Sequence, residues 1–439
     1  MMMFNDSKKD SLLLKKSVLL IIAIFVFLVI GILSGCSSSS TDSSEESVDE
    51  KVTITFSFWG DPKQVEDTER ILKKFEEKYP DINVDTWHAP WDNYFEKIQT
   101  RWAANESPDV MFLTDIPNYA SKGVLKPLDD EIEEDGFELD NYNEAMLNAF
   151  TYDDELYGLP RDNDTKVFFY NKELFDEENI PYPEKDWTWD DFNELAQKLT
   201  KKQNGKTTQY GVAFEPDWWR LWVWGNGGKL FNDPINPSKT EMTQPEGVET
   251  IEFLSNLMRE GYAPSYENQS DSSKISQLFM NNQVAIAFGN HALIPQMEDT
   301  DNLDWDIVGM PRVEGKEPVN SGGGAGYVIS DDTEEFDASF KLWKFLLGEE
   351  GQTEFLKAGN MVPASKEAQE SDEFLKDKDY DAEVFVEETS HAYPEAPVFP
   401  EWTEASQKFN SAFESVWIGE TDADETLEEV EVEVNDLLD

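Results

Sequence analysis

The stretch from residue 52 to residue 87 reads VTITFSFWGDPKQVEDTERILKKFEEKYPDINVDTW. Its first residues alternate apolar and small polar side chains, which predicts a β-strand with one buried face. A helix is predicted after Pro62, because Leu72, Phe75 and Tyr79 share one face, and Pro80 ends it. Residues 82–87 predict a second strand. Strand, helix and strand in this order are typical of an α/β fold.

The same alternation continues towards the C-terminus. A helix carrying Tyr94 and Ile98 leads to a short apolar strand over 109–113, of the kind found in buried parallel sheets. Further strands are predicted at 210–214, 284–288 and 327–329, and further helices at 188–199, 248–258, 275–280, 336–347 and in the last 40 residues. The chain therefore predicts an α/β architecture with a parallel sheet, in two domains or one large one.

The composition excludes several functional classes. The chain carries 92 acidic and 36 basic residues, for a formal net charge of −56. Such a charge repels nucleic acid and anionic lipid surfaces. The hydrophobic content of 39% and aromatic content of 13% are too high for a disordered acidic chain. These numbers indicate an ordinary folded core beneath an acidic surface.

The N-terminus predicts export. Lysines precede an apolar run over 18–30, which is too short for a typical membrane span, and Leu33-Ser34-Gly35-Cys36 follows. This pattern resembles the lipobox of bacterial lipoproteins. We expect a signal peptide over 1–35, lipidation of Cys36, and a flexible Ser-rich tether over 36–50; an uncleaved membrane anchor is the alternative.

Residues suited to catalysis or cofactor binding are sparse. The three histidines show no metal-ligand spacing, and the glycine-rich stretch 321–326 leads into a strand, where a dinucleotide motif would lead into a helix. We therefore expect no metal, no cofactor and no catalytic residue. An acid pair such as Asp162 and Asp164 leaves a carbohydrate-cleaving enzyme as an alternative.

Aromatic and acidic side chains suggest a sugar site. Four tryptophans fall within residues 218–224. A Trp ring suits the C–H face of a sugar, and carboxylates accept hydrogen bonds from hydroxyl groups. We expect ligand contacts from Glu215, Asp217, Trp218, Trp219 and Trp222, although a core position is the alternative for each single tryptophan.

A second group of candidates follows the predicted strands. Ligands of open α/β sheets bind off the carboxyl ends of strands. The residues that follow or end strands here are Trp59, Asp115 and the loop residues Arg161, Asp162 and Asp164.

Several motifs in the expected order carry a family resemblance. They are KFEEKYPDINV (74–84), SPDV (107–110), LYGLP (156–160), FYNK (169–172), WTWDDF (187–192) and the stretch 279–288. Together they resemble the family 1 extracellular solute-binding proteins, which include maltodextrin-binding proteins. The resemblance spans most of residues 51–439.

The resemblance implies a two-lobed periplasmic-binding-protein type II fold, with a mixed, mainly parallel sheet in each lobe and a hinge between them. We expect an N-terminal lobe of residues 51–160 plus 292–330 and a C-terminal lobe of residues 161–291 plus 331–439. Crossings between the lobes are expected near 160–165, 288–291 and 330–333.

The resemblance also implies ligand residues. It supports Asp115, Asp164 and Glu215 and adds Gly323, Gly324 and Trp402. Where the family often has Gly-x-Trp, this chain has Gly289-Asn290-His291, so we expect Asn290 and His291 to contact the ligand, with a hydrogen bond from His291 in place of the ring; a purely structural role is the alternative for His291.

The implied function is the substrate-binding lipoprotein of an ABC-type sugar importer. It would trap a mono- or oligosaccharide between its lobes by hinge closure and deliver it to membrane permease subunits, as a monomer anchored outside the cytoplasmic membrane. The alternatives are a binding protein for a polyamine or peptide, an extracellular carbohydrate-active enzyme, and a ligand sensor.

The excess of acidic residues leads to a testable hypothesis of a high-salt habitat. Salt screens repulsion between surface carboxylates. We therefore expect the thermal midpoint of unfolding to rise as NaCl increases to molar concentrations. A midpoint that stays flat over that range, measured by circular dichroism, would contradict the hypothesis.

Overall fold

The computed structural model describes residues 51–359, 361–393 and 396–438. The predicted signal peptide, Cys36 and the predicted tether lie outside these ranges. Within the ranges, no helix combines the length and the apolar character that a membrane span requires.

The strands of the described residues are β1 (Val52–Trp59), β2 (Ile82–Ala89), β3 (Val110–Leu113), β4 (Thr151–Tyr152), β5 (Glu155–Leu156), β6 (Gly158–Pro160), β7 (Asp162–Asn163), β8 (Lys166–Asn171), β9 (Lys201–Gln203), β10 (Lys206–Ala213), β11 (Val284–Asn290), β12 (Trp305–Val308), β13 (Gly326–Ile329) and β14 (Val362–Pro363).

The α-helices are α1 (Pro62–Lys78), α2 (Trp91–Ala103), α3 (Ile116–Ala120), α4 (Asp129–Asp135), α5 (Glu144–Asn148), α6 (Lys172–Glu178), α7 (Trp189–Leu199), α8 (Trp219–Gly225), α9 (Pro245–Arg259), α10 (Tyr266–Gln269), α11 (Ser272–Met280), α12 (Ile294–Glu298), α13 (Phe336–Leu347), α14 (Glu349–Ala358), α15 (Lys366–Gln369), α16 (Asp372–Leu375), α17 (Glu383–Ser390), α18 (Trp402–Trp417) and α19 (Ala423–Leu438).

Local sequence signals explain the first βαβ unit. The Asp61 carboxylate accepts hydrogen bonds from the backbone N–H groups of Lys63 and Gln64, and the Gln64 side chain accepts one from the Asp61 N–H. This reciprocal cap starts α1 at Pro62, which suits the first helical position. The apolar face of α1 is buried, and β1 pairs with β2 in parallel along its whole length.

Two five-stranded sheets form the core. The first has the order β2-β1-β3-β13-β6, and the second has the order β12-β8-β11-β10-β9. Both are mixed, but the prediction that parallel pairs predominate is wrong. In the first sheet β13 is antiparallel to both neighbours, and in the second only β10 and β11 pair in parallel. The reason is that β8 and β13 enter their sheets after the chain has crossed from the other sheet, without the βαβ connection that makes a parallel pair.

Three chain segments pass between the sheets. The first links β6 to β8 through 161–165, as expected. The second lies between β12 and β13, at 309–325. The third follows α14, which packs on α1, and precedes α17, which packs on β8.

Two expected crossings are therefore misplaced. Residues 288–291 lead through α12 to β12, which pairs with β8 of the same sheet. Residues 330–333 lead to α13, which packs on β1, β3 and β13 of the same sheet. Consequently Trp305–Val308 belongs to the second sheet and α13 to the first, which is the reverse of our lobe assignment. Polar turn residues also follow strands whose next element stays with the same sheet, as at 288–291 and 330–333, so they did not distinguish a crossing from an ordinary loop.

The crossing segments pack side by side. β7 and β14 pair antiparallel, with Asn163 opposite Val362 and Asp162 opposite Pro363. The Asp164 N–H donates to the Gly323 carbonyl at 2.8 Å, and the Arg161 N–H donates to the Ala325 carbonyl at 2.9 Å. We call residues 161–165, 320–326 and 361–364 the crossing ribbon.

The ribbon leads to a prediction about two adjacent glycines. A Cβ atom on Gly324 would lie 2.0 Å from the Asp162 carbonyl oxygen, whereas one on Gly323 would meet nothing within 4 Å. We expect Gly324→Ala to lower the free energy of unfolding by about 1–3 kcal/mol through strain. The matched control, Gly323→Ala, should change it by less than about 0.5 kcal/mol. Equal effects of the two changes in urea unfolding would contradict this packing.

Candidate functional site

A cavity of about 840 Å³ lies between the two sheets. Its wall includes Trp59 at the end of β1, Asp115 after β3, Glu215 after β10 and Asn290 at the end of β11. The crossing ribbon supplies further wall residues. Ends of strands from both sheets therefore converge on one space, as expected of α/β ligand sites.

Two ion pairs of the cavity wall belong to the first crossing and the strand after it. Arg161 pairs with Asp162 through an Nε–Oδ2 contact of 2.9 Å, and its guanidinium lies 4.1 Å from the Phe112 ring centroid. The Lys166 ammonium lies 2.8 Å from Asp164 Oδ2, and Asn290 Nδ2 donates to Asp164 Oδ1 at 2.6 Å. Both cations are therefore neutralised by an adjacent carboxylate.

Asp115 connects the two sides of the cavity. It has a left-handed backbone (φ +55°) before α3, a conformation that is uncommon outside glycine. Its Oδ2 accepts hydrogen bonds from Asn118 Nδ2 at 3.0 Å and from Thr403 Oγ1 of α18 at 2.7 Å. Burial raises the pKa of Asp115, and the two donors oppose that shift. A strand end of the first sheet is thus hydrogen-bonded to a helix that packs on the second.

Among the described residues, the cavity-wall side chains of Glu215 and Arg220 form no ion pair within 4.0 Å, and the only hydrogen bond of either side chain is a long one from Arg220. Burial raises the pKa of Glu215 to about 7. Burial also lowers the pKa of Arg220 to about 10, although Asp164, Glu215 and Asp217 oppose the shift. Both side chains can therefore form favourable hydrogen bonds with a polar ligand.

Aromatic rings line the cavity from both sides. Trp59 stacks on Phe112 with centroids 4.2 Å apart, and Trp91 packs edge-on against Trp59 at 5.0 Å. Trp91 is 52% exposed, which is unusual for so large an apolar ring. From the second side, Trp402 packs edge-on against Phe231.

A family model described as bacterial extracellular solute-binding protein matches residues 70–382. The chain belongs to this family. The galactooligosaccharide-binding protein of Bacillus subtilis is 23% identical, over 84% of this chain and 86% of the relative. The maltodextrin-binding protein of Bacillus subtilis is 25% identical, over 90% of this chain and 91% of the relative.

A solved structure extends the likeness to the fold. The ABC substrate-binding protein from Listeria monocytogenes in complex with cycloalternan superposes with a TM-score of 0.76 at 28% identity. The match covers 88% of this chain and 99% of that one. This solute-binding protein has the two-lobed type II fold, which confirms the predicted family and fold class.

Most of the expected site residues of this solute-binding protein lie on the cavity wall. They are Trp59, Asp115, Arg161, Asp162, Asp164, Glu215, Trp218, Asn290, His291, Gly323, Gly324 and Trp402. Their contact with a ligand stays a prediction.

Trp219, Trp222 and Asp217 lie outside the wall. Trp219 packs on Phe409 and Phe413, and Trp222 packs among the aromatic rings of β8 and α7. Both are 1% exposed, because all residues of α8 from Trp219 to Trp224 except Arg220 are apolar and buried. The Asp217 carboxylate accepts a hydrogen bond from the Tyr266 hydroxyl at 3.3 Å.

For two wall residues, His291 and Trp218, the contacts favour the structural alternative over ligand binding. The His291 ring packs against Phe385 and its Nε2 lies 3.2 Å from the Tyr380 hydroxyl, while burial lowers its pKa to about 3. Its imidazole is thus a neutral part of the core. Trp218 has the Lys166 ammonium 3.7 Å and the Arg220 guanidinium 3.8 Å from its ring centroid, which leaves little free ring face for a sugar.

Sequence reasoning missed Trp91, Lys166, Arg220 and Trp224, which also line the cavity. Trp91 follows the carboxyl end of β2 after a single proline, so the strand-end rule applies to it as well. Lys166 begins the otherwise apolar strand KVFFYN, and a lysine in such a strand is a signal for a partnered buried charge.

The burial of the tryptophans yields a stability prediction. We expect Trp222→Ala to lower the free energy of unfolding by about 3–5 kcal/mol, because it opens a core cavity. Trp91→Ala, on the exposed ring, should cost less than about 1 kcal/mol. Denaturant unfolding of the two variants measures the difference, and similar losses would contradict the assignment of Trp91 to the cavity rim.

Proposed function

We propose that this solute-binding protein is the sugar-binding subunit of an ABC-type importer and binds an oligosaccharide in the cavity between its lobes. The observation that carries the proposal is a cavity of about 840 Å³ with tryptophans on both sides and charged hydrogen-bonding groups between them. The names of the relatives, which bind galactooligosaccharide and maltodextrin, support it.

The chemistry of the wall suits a neutral sugar chain. Flat rings such as Trp91 and Trp402 match the C–H faces of pyranose units, and the charged side chains match their hydroxyl groups. The volume lies in the upper part of the range of about 300–1,000 Å³ typical of small-molecule pockets, which favours an oligosaccharide over a single ring.

Binding would proceed by hinge closure. The connections between the sheets along the described chain run through or beside the crossing ribbon, so we expect lobe motion to concentrate there. A sugar that contacts both lobes stabilises the closed state by its differential affinity for that state. The closed form would then dock on permease subunits, which reopen it. No covalent step is required.

Two rival functions are less well supported. A polyamine would find only Glu215 without an adjacent cation among Asp162, Asp164 and Glu215, and the unpaired guanidinium of Arg220 on the same wall would repel it. A glycosidase needs two carboxyl groups that flank the scissile bond, and although Glu215 could donate a proton, the pairing of Asp162 and Asp164 with cations opposes their use as its partner. We therefore propose a binding protein and not an enzyme. New reducing ends after incubation with oligosaccharides would contradict this.

The N-terminal segment would keep the protein near its permease. Family members are extracytoplasmic. We propose that Cys36 carries a lipid that anchors a monomer to the outer face of the cytoplasmic membrane, and that residues 36–50 form a flexible tether between the lipid and the folded protein. Mass spectrometry of the membrane fraction tests the lipid, and an unmodified Cys36 would contradict the anchor.

A thermal-shift screen of mono- and oligosaccharides against spermidine, in high salt, tests the proposed ligand class. We expect neutral oligosaccharides to raise the melting temperature, since a ligand that binds only the native state stabilises it. A shift with spermidine alone would favour the polyamine alternative.

The screen then allows a test of Trp402. We expect Trp402→Ala to weaken binding of the best oligosaccharide by about 10–100-fold, equivalent to about 1.5–3 kcal/mol for a buried aromatic contact. Trp102→Ala is the matched control, because Trp102 is also partly buried but lies outside the cavity wall. Unchanged affinity of Trp402→Ala in titration calorimetry would remove the proposed stacking role.

A further inference from the structure

Arg220 carries a guanidinium group with almost no partners. It lies on the cavity wall, stacked 3.8 Å from the Trp218 ring centroid. Its one hydrogen bond to the described residues is long, 3.4 Å from Nη1 to the Asp217 carbonyl. A guanidinium has several N–H donors in a planar fork, so most of those of Arg220 face the cavity unused.

Glu215 lacks hydrogen-bond donors, just as Arg220 lacks acceptors. Its carboxylate lies on the same wall and accepts no hydrogen bond from the described residues. The charged groups that act on it are Lys166 from β8, Asp164 from the crossing ribbon, Asp271 before α11, and Asp217 and Arg220 from its own segment. Lys166 is already paired with Asp164 at 2.8 Å.

The two groups also fail to satisfy each other. Among the described residues, neither Glu215 nor Arg220 forms an ion pair within 4.0 Å, although both are partly buried. Burying opposite charges without direct contact is unfavourable unless a third group completes their hydrogen bonds. The cavity wall thus presents a donor-only side chain and an acceptor side chain to a group that binds there.

We propose that Arg220 and Glu215 together bind adjacent hydroxyl groups of a neutral sugar, and that Trp218 supports Arg220 and Lys166 and does not stack on the ligand. This inference rests on the proposed function and adds a specificity residue, Arg220. A hydroxyl group both accepts and donates, so a diol satisfies the two side chains at once. An acidic sugar would pair with Arg220 but face Glu215, and a polyamine would pair with Glu215 but face Arg220.

The pair makes binding depend on pH. Burial holds the pKa of free Glu215 near 7, so about half of the molecules are protonated at that pH. The ionised carboxylate accepts two sugar hydroxyls, whereas the protonated form has less acceptor capacity. Sugar binding therefore favours ionisation and lowers the pKa of Glu215. Affinity should rise with pH, by about tenfold between pH 6 and pH 8.

Titration calorimetry in two buffers of different ionisation enthalpy tests this directly. The probes are the neutral oligosaccharides of the screen, beginning with maltotriose. We expect the wild-type protein to release about 0.5 proton per bound ligand near pH 7 and almost none near pH 9. Glu215→Gln should abolish the release. No release from the wild type, or an equal release from Glu215→Gln, would overturn the proposal.

Substitutions of Arg220 provide an independent readout. We expect Arg220→Met to weaken oligosaccharide binding by about tenfold or more and to improve the relative affinity for spermidine, since the repelling cation is gone. Arg220→Lys should retain the rejection of spermidine while losing affinity for the sugar, because it keeps the charge without the fork. Arg259→Met, on an exposed face of α9, is the control, and far-UV circular dichroism confirms folding.

The outcomes separate this inference from the proposed function. If oligosaccharides bind but neither proton release nor Arg220→Met has the expected effect, only the role of Arg220 and Glu215 is overturned. If no sugar binds to the wild type, the proposed function fails, and this inference fails with it.

Discussion

The close packing of the crossing ribbon constrains the rest of the structure. Gly324 lies against the backbone of Asp162 with no room for a side chain, and β7 pairs with β14 beside it. Arg161, Asp162 and Asp164 are part of the ribbon, so three of the charged groups on the cavity wall belong to a segment that connects the sheets. A ligand that contacts these side chains therefore acts directly on the hinge, without an intervening chain of contacts.

The electrostatics of the cavity differ from those of the whole chain. The chain has a net charge of −56, yet the acids of the ribbon are matched by Arg161 and Lys166, and Asp115 is held by neutral donors. Pairing of this kind removes most of the attraction that an acidic protein would otherwise exert on a cation in the cleft. The cavity-wall groups that still lack hydrogen-bond partners are then one donor, Arg220, and one acceptor, Glu215. Such a pair suits a neutral polar ligand.

Sequence reasoning recovered the features that repeat locally. The alternation in 52–59, the helix between Pro62 and Pro80 and the converging strand ends follow from short-range patterns, and the structure has them. Sequence reasoning failed for residues whose environment is set by packing partners far away in the chain. Nothing in 218–224 shows that Trp222 meets the rings of β8 and α7 while Trp218 lies under two cations. The crossings were misplaced for the same reason, since a loop that changes sheets has the same composition as one that does not.

A buried hydrogen-bond network holds one end of the crossing ribbon in place. The Asn320 side chain accepts a hydrogen bond from the Lys166 N–H at 2.8 Å and donates to the Lys166 carbonyl at 2.8 Å and to Glu388 at 2.6 Å. Burial raises the pKa of Glu388 to about 7, which reduces the cost of keeping this carboxyl group inside. Asn320 thus fixes the second crossing to the start of β8 on the side of the second lobe. If the lobes close as proposed, the residues between this point and β6 are the ones free to rotate, and they include Asp162 and Asp164 of the cavity wall.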